Sequence, residues 1–510
     1  MAKLTCYDGV NCIGGNKLLL ESNSEKLFFD FGQNMGEEGR FYEEFIKPKT
    51  VAGIYERAQL GFLPPLPDLY RPDLVSSLCD PWVSIETSSI GDVAGVLVSH
   101  AHVDHIGSLP FLRTDIPVMC SPMTAAITKA LQDTGKDGSE YCHYVERTDD
   151  GEGGLSKPGY GKNPLNSRPY CLSESPGEGL CDFWNTPHAS RQINPSQLTC
   201  GTKCGDMPVR AFPVDHSIYG ATAWAVETDA GWVVYTGDLR MHGVSGDLTR
   251  QFAIEASKLN PVALIIEGTR ITNDSQFTED DVREAVLAEV RGASALVVAD
   301  FGARNLERLL TFLDVAREVG RKLVMMPSDL YMLKAMALAS GKQKIPEMDR
   351  DWVSIYRKYA GTEPKWSKNL IEEHSSMLVD ARDIHANQSS FICCFGFFDI
   401  NELAYVRPEP GSIWIVSNCE PFCEEMEIDR RRMMNWLDRY QMRLVGSEEE
   451  VRFHVSGHAS RSDLKEIVET IRPKTLIPVH NEHPEEYLDM VGDLCKVVMP
   501  QRSVPIPIGG

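Results

Sequence analysis

No apolar run in this 510-residue sequence approaches the roughly 18 to 20 residues that a helix needs to cross a bilayer. The N-terminal residues also lack a charged start followed by an apolar signal core. Basic residues are scarcer than acidic ones, at 51 against 73, and the net charge of −22 argues against a general nucleic-acid coat. We find no internal repeat and no low-complexity tract. We therefore expect a cytoplasmic globular protein with no membrane partner, long enough for two domains.

The fourteen cysteines are scattered through the chain, and in a reducing compartment we expect them to be free thiols. Several fall in residues 133–207, a stretch rich in glycine, proline and serine that predicts either an inserted subdomain or a flexible loop. Cys200 and Cys204 leave open a further structural zinc in this insertion. Their spacing is looser than the CxxC pair of common zinc knots, so unpaired thiols are favoured.

Histidine is also scarce, at 13 residues, yet three histidines and an aspartate fall within residues 100–105. This turn directly follows the apolar run Gly95–Val98, which predicts a strand that ends in the turn. Imidazole and carboxylate groups suit zinc and similar metals, and the absence of thiolates argues against a purely structural zinc knot. A polar surface turn is the plain alternative. The density of ligand types favours a metal-centred active site.

Apolar runs alternate with amphipathic segments from about residue 277, as in a doubly wound parallel sheet. Examples are a helix over Asp280–Val290 and a strand over Ala295–Val298. We also predict a helix over Glu37–Phe45 and a strand over Val451–Val455. The overall fold class is therefore α/β.

Six further polar side chains stand where an apolar strand stops. They are Asp30, His216, Asp238, Glu267, His458 and His480. Each alone is more often a turn or cap residue than a ligand. In open α/β sheets, however, functional groups gather at the carboxyl ends of strands. Six repeats of this placement favour one shared site.

With these residues in place, the sequence resembles the metallo-β-lactamase-fold hydrolases. The resemblance rests on the His100-x-His102-x-Asp104-His105 motif, together with Asp30, His216 and Asp238. Glu267, the motif Val455–His458 and the segment Pro478–Glu482 are similar to the β-CASP nuclease branch, and most of all to RNase J-type ribonucleases. Comparable family segments lie at Gly14–Asn16, Asp300–Arg304 and Cys419–Phe422. The resemblance covers nearly all of the chain except residues 133–207.

The resemblance implies a metallo-β-lactamase αββα sandwich with an inserted β-CASP parallel-sheet domain. Its expected divisions are residues 1–275 and 446–510 for the first domain and 276–445 for the inserted one. The chain ends 30 residues after His480, so we expect no counterpart of the C-terminal domain common in bacterial relatives. That departure leaves a homodimer as an open alternative.

The resemblance also implies two zinc ions per chain, with manganese as an alternative. The expected ligands of one ion are His100, His102 and His216, and those of the other are Asp104, His105 and His480, with Asp238 bridging. Paired metals activate a hydroxide for attack on phosphorus. Asp104 would also orient this nucleophile, and Asp30 would fix a ligand histidine. His458, oriented by Glu267, would protonate the leaving group.

Ser456, Gly457 and Arg304 are the expected substrate contacts, although a surface salt bridge is a close alternative for Arg304. The leading hypothesis is a zinc-dependent ribonuclease of RNA processing or decay, acting as a 5′→3′ exonuclease, an endonuclease or both. The −22 charge motivates an alternative substrate, such as single-stranded DNA or a small phosphodiester or ester. A non-catalytic scaffold is a third hypothesis. It is disfavoured because every ligand position of the family motif is filled by a metal-binding residue.

Overall fold

The computed structural model describes residues 2–509 apart from short gaps. The residues left out are 1, 44, 136–137, 157–163, 190, 275–276, 303, 340–344, 346–348, 360–361, 419–423, 447–450 and 510. Within the described part, the β-structure comprises sheets of eight, seven, seven and two strands. No helix there is both long and apolar enough to span a membrane.

The first sheet begins antiparallel and becomes parallel after the strand Glu25–Phe29. Its strands lie, in spatial order, at Pro505–Pro507, Lys3–Asp8, Lys17–Ser22, Glu25–Phe29, Gly95–Leu97, Val118–Cys120, Tyr170–Leu172 and Thr199–Cys200. Leu27, Phe28 and Phe29 are all fully buried. Such continuous apolar strands form where both faces of a sheet are covered.

The second sheet is likewise antiparallel on one side and parallel on the other. Its strands lie at Lys203–Cys204, Met207–Pro213, Thr222–Thr228, Gly231–Tyr235, Ala263–Ile266, Thr475–Pro478 and Lys496–Val497. The two-stranded sheet pairs His143–Tyr144 with Asn166–Ser167.

The first two sheets pack face to face. Leu20 and Phe29 of the first sheet share one apolar layer with Trp224 and Ile265 of the second. Helix Pro122–Thr134 belongs to the core on the outer side of the first sheet. Helices Gly246–Ser257 and Arg461–Ile471 cover the outer side of the second sheet. This arrangement confirms the predicted αββα sandwich.

The third sheet is parallel throughout its described strands. They lie at Leu378–Val379, Val353–Tyr356, Lys322–Met325, Phe391–Cys393, Val297–Asp300, Ile413–Val416 and Arg443–Val445. Val297 and Val298 point into apolar layers on opposite faces, as the two-residue period of a strand requires. Helix Leu306–Val319 covers one face and helix Glu424–Arg439 the other. The predicted parallel, doubly wound sheet is confirmed.

The third sheet is an insertion into the second. Strands Ala263–Ile266 and Thr475–Pro478 are parallel neighbours in the second sheet, and every strand of the third sheet lies between them in the chain. The domain boundaries at 275/276 and 445/446 stay predictions.

The helices begin at recognisable caps. Thr278 and Ser460 form capping boxes with Asp281 and Asp463, and these satisfy the free amides at each helix start. The α-helices are Met35–Glu38, Tyr55–Gln59, Val103–Ile106, Pro122–Thr134, Leu180–Asn185, Gly246–Ser257, Glu279–Gly292, Leu306–Val319, Pro327–Ala339, Lys365–Glu373, Ala381–Ala386, Leu403–Val406, Glu424–Arg439, Arg461–Ile471 and Glu486–Val491.

Two predicted elements are wrong. The helix expected over Glu37–Phe45 is the single turn Met35–Glu38, which Asn34 caps and which ends at Gly39. The strand expected over Val451–Val455 is absent from the described structure, where Val451–Phe453 form a 3-10 turn. Its Phe453 carbonyl accepts hydrogen bonds from Arg308 and Ser417 side chains instead of a neighbouring strand.

The described parts of residues 133–207 join the main body. Tyr170–Leu172 and Thr199–Cys200 extend the first sheet, and Lys203–Cys204 starts the second. Trp184, on the helix Leu180–Asn185, is fully buried. These parts were expected to be a separate subdomain or a flexible loop, yet they supply the edges of two sheets.

Candidate metal centre and active site

The His/Asp turn follows the strand Gly95–Leu97 and runs into the short helix Val103–Ile106. Two glycines let the chain pack against it. A Cβ on Gly32 would stand 1.6 Å from the Asp104 carbonyl oxygen, and one on Gly14 would stand 2.8 Å from the Asp104 Cβ. Gly14 also has a φ of +83°, which favours glycine. The turn is therefore held closely from one side.

Three imidazoles of this region converge on one point. The Nδ1 atom of His102 lies 3.0 Å from Nε2 of His100 and 3.2 Å from Nε2 of His216. His216 stands after the strand Met207–Pro213, so its neighbourhood with the turn arises from the sandwich fold. Three nitrogen lone pairs at such distances form a set suited to zinc.

A second group lies beside the first. The Nε2 atom of His480 is 3.2 Å from Asp104 Oδ2, and Nε2 of His105 is 3.6 Å from that oxygen and 3.1 Å from Asp238 Oδ2. His480 follows the strand Thr475–Pro478. Nitrogen and carboxylate donors together suit zinc or manganese.

Asp238 stands between the two groups. Its Oδ2 atom lies 3.7 Å from His100 Nε2, 3.9 Å from His216 Nε2 and 3.7 Å from His480 Nε2. Its Oδ1 atom is buried and has no hydrogen-bond partner in the described structure. A buried carboxylate oxygen without a donor is costly unless a cation neutralises it. The donor set and this bare oxygen both fit bound metal.

The ligand histidines are held on their far side. His105 Nδ1 donates to Asp30 Oδ2 at 2.7 Å, and His216 Nδ1 donates to the Gly457 carbonyl at 2.5 Å. His100 and His480 have hydroxyl partners at their Nδ1 atoms, Ser99 at 3.0 Å and Thr269 at 2.9 Å. Such bonds fix the tautomer that leaves Nε2 free to bind a metal.

The electrostatics of the site also suit a cation. Burial, helped by neighbouring imidazoles, lowers the pKa of His100 and His102 well below the usual histidine range. Burial opposes charge on Asp238 as well, but His105 and His480 outweigh it and hold the Asp238 pKa well below its usual value. Neutral imidazoles and an ionised carboxylate are the forms that bind metals.

Glu267 and His458 form a pair beside this centre. His458 Nδ1 lies 3.0 and 2.9 Å from the two Glu267 oxygens and 4.0 Å from Asp238 Oδ2. Burial favours neutral His458, but the Glu267 carboxylate outweighs it and raises the His458 pKa to about 9. Glu267 is itself fixed by the Leu239 amide, which donates to it at 2.9 Å. The structure therefore brings this predicted pair next to the predicted ligands.

The predicted substrate contacts border one cavity of about 680 Å³, which we call the inner cavity. Its lining includes His102, His216, Arg304, Ser456, Gly457 and His458 on the metal side. It also includes Asp300, Phe397 and Phe398 from the third sheet and the loops after its strands. The volume falls within the range of about 300 to 1,000 Å³ typical of ligand pockets.

Two of these contacts also have structural partners. Ser456 Oγ accepts from the His458 amide at 3.2 Å, and Arg304 donates to the Ala101 carbonyl at 3.3 Å. Among the described carboxylates none forms a salt bridge with Arg304, so that alternative finds no support there. The predicted family segment Cys419–Phe422 lies outside the described residues.

Sequence reasoning missed the residues behind the ligands. Tyr235 donates to Asp30 Oδ2 at 2.6 Å, and Ser99 donates to the same oxygen at 2.8 Å. Arg240 is fully buried, pairs with Asp215 at 3.1 Å and donates to the Ser456 carbonyl at 3.4 Å. Ser99 and Arg240 lie within two residues of predicted ligands. Their closeness in sequence to predicted ligands could have indicated a role at the site. The partners of Arg240 are far away in the sequence, so no local pattern could have predicted its contacts.

No cysteine belongs to a candidate metal group in the described part of the chain. Cys200 is exposed and Cys204 is buried. The groups found there consist of histidine, aspartate and glutamate alone.

Comparisons with known proteins match segments that contain several of the predicted site residues. Residues 64–152 match a family model described as a beta-lactamase superfamily domain, and residues 450–485 match one described as a Zn-dependent metallo-hydrolase RNA specificity domain. The first match includes the His/Asp turn, and the second includes His458 and His480.

Several curated relatives are similar over most of the chain. Ribonuclease J of Mycolicibacterium smegmatis is 22% identical over 77% of this chain and 59% of its own length. Ribonuclease J 2 of Streptococcus pyogenes is 22% identical over 94% of this chain and 70% of its own length. Ribonuclease J of Methanocaldococcus jannaschii is 23% identical over 77% and 76%. The chain thus spans about three fifths of the first of these relatives.

A solved structure shows the same fold. The crystal structure of a protein of unknown function from Enterococcus faecalis V583 has a TM-score of 0.66 and 21% identity, with 99% of each chain covered. Two segments of the chain thus match family models, and the fold matches that of a solved structure. The chain contains a beta-lactamase superfamily domain and resembles ribonuclease J over most of its length.

Proposed function

We propose that this protein is a zinc-dependent ribonuclease that hydrolyses RNA phosphodiesters. The observation that carries the proposal is the pair of adjacent ligand groups, one of which contains Asp238 while the other has His100 and His216 within 3.9 Å of it, with the Glu267–His458 pair alongside. The match to an RNA specificity domain and the ribonuclease J relatives support RNA as the substrate.

We infer that two ions bind per chain, zinc or, as an alternative, manganese. His100, His102 and His216 would hold one, and Asp104, His105 and His480 the other, with Asp238 shared. When bound, such a pair supplies Lewis acidity and lowers the pKa of water for attack on phosphorus. Asp30 holds His105 in its ligand tautomer, and Asp104 has a second role in orienting the attacking water.

His458 is the proposed general acid. Its raised pKa keeps it protonated near neutral pH, so it can deliver a proton to the leaving ribose oxygen. Glu267 fixes the tautomer through Nδ1 and leaves Nε2 for the substrate. Ser456, the Gly457 amide and Arg304 would contact the phosphates from the walls of the inner cavity.

The domain arrangement is part of the proposal. Residues 1–275 and 446–510 would form the metallo-β-lactamase domain, and residues 276–445 the β-CASP domain. The third sheet supports this division, because its described strands all lie within residues 297–445.

A hydrolase of another substrate is the second candidate, and the net charge of −22 favours it. Single-stranded DNA or a small phosphodiester or ester would be the substrate. A third candidate, a non-catalytic scaffold, would leave the assembled ligand groups without a role.

The test compares turnover on three substrates with zinc or manganese present: 5′-monophosphorylated RNA, single-stranded DNA and a chromogenic diester. We expect RNA to be cleaved fastest. Labelling either end of the RNA then separates 5′→3′ exonuclease products from endonuclease products. Intact RNA alongside cleaved small diester would contradict the ribonuclease proposal and support the second candidate.

A further inference from the structure

Phe398 is the most exposed large hydrophobic side chain in the described structure, with 90% of its surface accessible. An apolar side chain stabilises a fold by being buried, so the fold gains little from this exposed ring. Single exposed apolar residues are common and need no explanation by themselves. The position of this one is unusual, because Phe398 lines the cavity that contains His102, His216 and His458.

Phe398 does not stand alone. Phe397 precedes it, and the two rings meet edge to face with centroids 5.5 Å apart. Both belong to the 3-10 turn Phe397–Glu402, which follows the strand Phe391–Cys393 of the third sheet. The pair therefore presents an aromatic surface to the cavity that His102, His216 and His458 also line.

The same two rings also line a second depression of about 950 Å³, which we call the outer depression. Its other walls come from the segment after Gly32, including Met35, and from the helix Glu424–Arg439. The Phe397–Phe398 pair therefore borders both the outer depression and the inner cavity beside the predicted metal ligands.

The walls of the two depressions contain few basic side chains that could bind the phosphates of an RNA strand. Arg304 is the only lysine or arginine among the described residues that line the inner cavity, whereas Asp300, Asp329 and Asp399 line it too. The outer depression has two arginines against four carboxylates in its described lining. Phosphate contacts therefore cannot supply most of the affinity outside the metal centre.

We propose that Phe398, supported by Phe397, is the stacking platform for a base of single-stranded RNA, and that stacking supplies the binding that walls with so few basic side chains do not. This inference rests on the proposed ribonuclease function. Every base has a π-face, so stacking on an aromatic ring tolerates any sequence. It also explains how a chain with a net charge of −22 can bind a polyanion.

The test uses the full-length, metal-loaded protein and the variants Phe398→Ala and Phe398→Trp. Phe45→Ala is the matched control, because Phe45 is 83% exposed but lines neither depression. Stacking contributes about 1–3 kcal/mol per base, so Phe398→Ala should raise KM for single-stranded RNA about 5- to 150-fold. Phe398→Trp and Phe45→Ala should stay close to the unmodified protein.

Two further measurements separate stacking from other roles. Turnover of a small diester without an aromatic group, which has no ring to stack on Phe398, should be equal in all variants. The slope of log kcat/KM against log salt should be shallow, no steeper than about −1.5, because few phosphates are neutralised. A steep slope would contradict the argument that few basic side chains contact the phosphates.

The outcomes also distinguish this inference from the ribonuclease proposal. If the unmodified protein cuts the diester but not RNA, the ribonuclease proposal fails first. If RNA is cut and Phe398→Ala behaves like Phe45→Ala, the stacking role is overturned and Phe398 becomes a surface for a protein partner. Equal losses on RNA and diester would make Phe398 structural, which also overturns the inference.

Discussion

Asp238 is the residue on which the candidate centre converges. One of its oxygens faces four histidine nitrogens at 3.1 to 3.9 Å, and the other has no partner in the described structure. Without metal, this arrangement leaves one carboxylate oxygen buried with no hydrogen-bond donor among the described residues. A bound cation would give this oxygen and the histidine nitrogens a common partner. The arrangement of individual atoms thus argues for cation binding independently of the sequence motif.

Asp104 should be needed for metal and activity but not for folding. Its side chain is 27% exposed and belongs to the second ligand group. We expect Asp104→Ala to abolish RNA cleavage and lower the bound metal per chain, measured by mass spectrometry of the metal, with an almost unchanged thermal unfolding midpoint. Asp92→Ala, at an exposed carboxylate away from the site, is the control. Loss of folding in Asp104→Ala would make the site structural.

His458 should matter most where the leaving group needs a proton. We expect His458→Ala to lower kcat for RNA about 10²- to 10⁴-fold, the usual contribution of a general acid. A p-nitrophenyl diester has a leaving group that departs without protonation, so its hydrolysis should fall much less. Metal content should not change. An equal loss on both substrates would contradict the role of general acid.

At the scale of elements, the loop that carries His458 is held in place by side chains that donate hydrogen bonds to its backbone carbonyl groups. Arg308 binds the Phe453 carbonyl at 2.9 Å, and Arg240 and His242 bind that of Ser456 at 3.4 and 3.0 Å. Arg240 also pairs with Glu307, at the start of the helix Leu306–Val319. This buried ion network therefore connects the metal-ligand loops with the third-sheet region.

Removing the Arg240 guanidinium should destabilise the whole arrangement. Arg240→Met would leave Asp215 and Glu307 buried without their partner, which costs about 3–5 kcal/mol in comparable buried pairs. Chemical denaturation would measure the loss in free energy of unfolding. Arg250→Met, at an exposed pair with Asp247, should change it little. An unchanged stability in Arg240→Met would contradict the structural importance of the network.

Asp300, at the end of a third-sheet strand, should make stability depend on pH. Burial raises its pKa to about 7, against about 3.9 in an unfolded chain, although Trp414 donates to it at 3.2 Å. A raised folded pKa gives stability that is complete below pH 4 and is lost as the pH rises towards 7.

The matching experiment compares unfolding of the unmodified protein and Asp300→Asn from pH 4 to 8. The amide cannot ionise, so the variant should gain relative stability through this window, on the order of a few kcal/mol, and the difference should level off above pH 7. Parallel stability curves would show that Asp300 does not titrate in this range.

The elements show why sequence reasoning succeeded in one place and failed in another. His216, Asp238 and His480 could be predicted as site residues because each follows an apolar strand, and strand ends meet at one edge. Residues 451–455 looked like a strand because apolar side chains alternate there. Phe453 and Val455 are indeed buried, as in a strand. The Phe453 carbonyl, however, accepts a hydrogen bond from Arg308 and not from a neighbouring strand. Only the folded chain brings that arginine into place.

At the scale of the whole molecule, the inserted sheet completes the cavity. The predicted metal ligands come from the sandwich, while Asp300, Phe397 and Phe398 come from the third-sheet region and line the same cavity as His102 and His216. The alternation of elements after residue 277 predicted the parallel sheet. It contained no information on how that sheet faces the metal centre, because this orientation depends on long-range contacts such as Arg240 with Glu307.

A net charge of −22 favours RNA binding at a site where positive charge is concentrated, next to a surface on which bases can stack. Two divalent ions next to a protonated His458 would provide that concentration. The rest of the surface would then repel nucleic acid, and RNA would bind mainly at the metal centre and the Phe398 ring.

Metal removal and reconstitution test the central claim most directly. We would strip the full-length protein with a chelator, add back zinc in steps, and follow bound zinc per chain together with cleavage of 5′-labelled RNA. We predict no cleavage without metal, binding that saturates at two ions per chain, and cleavage restored as the second ion binds. Saturation below two ions, or RNA cleavage that persists in the stripped protein, would contradict the two-metal ribonuclease account.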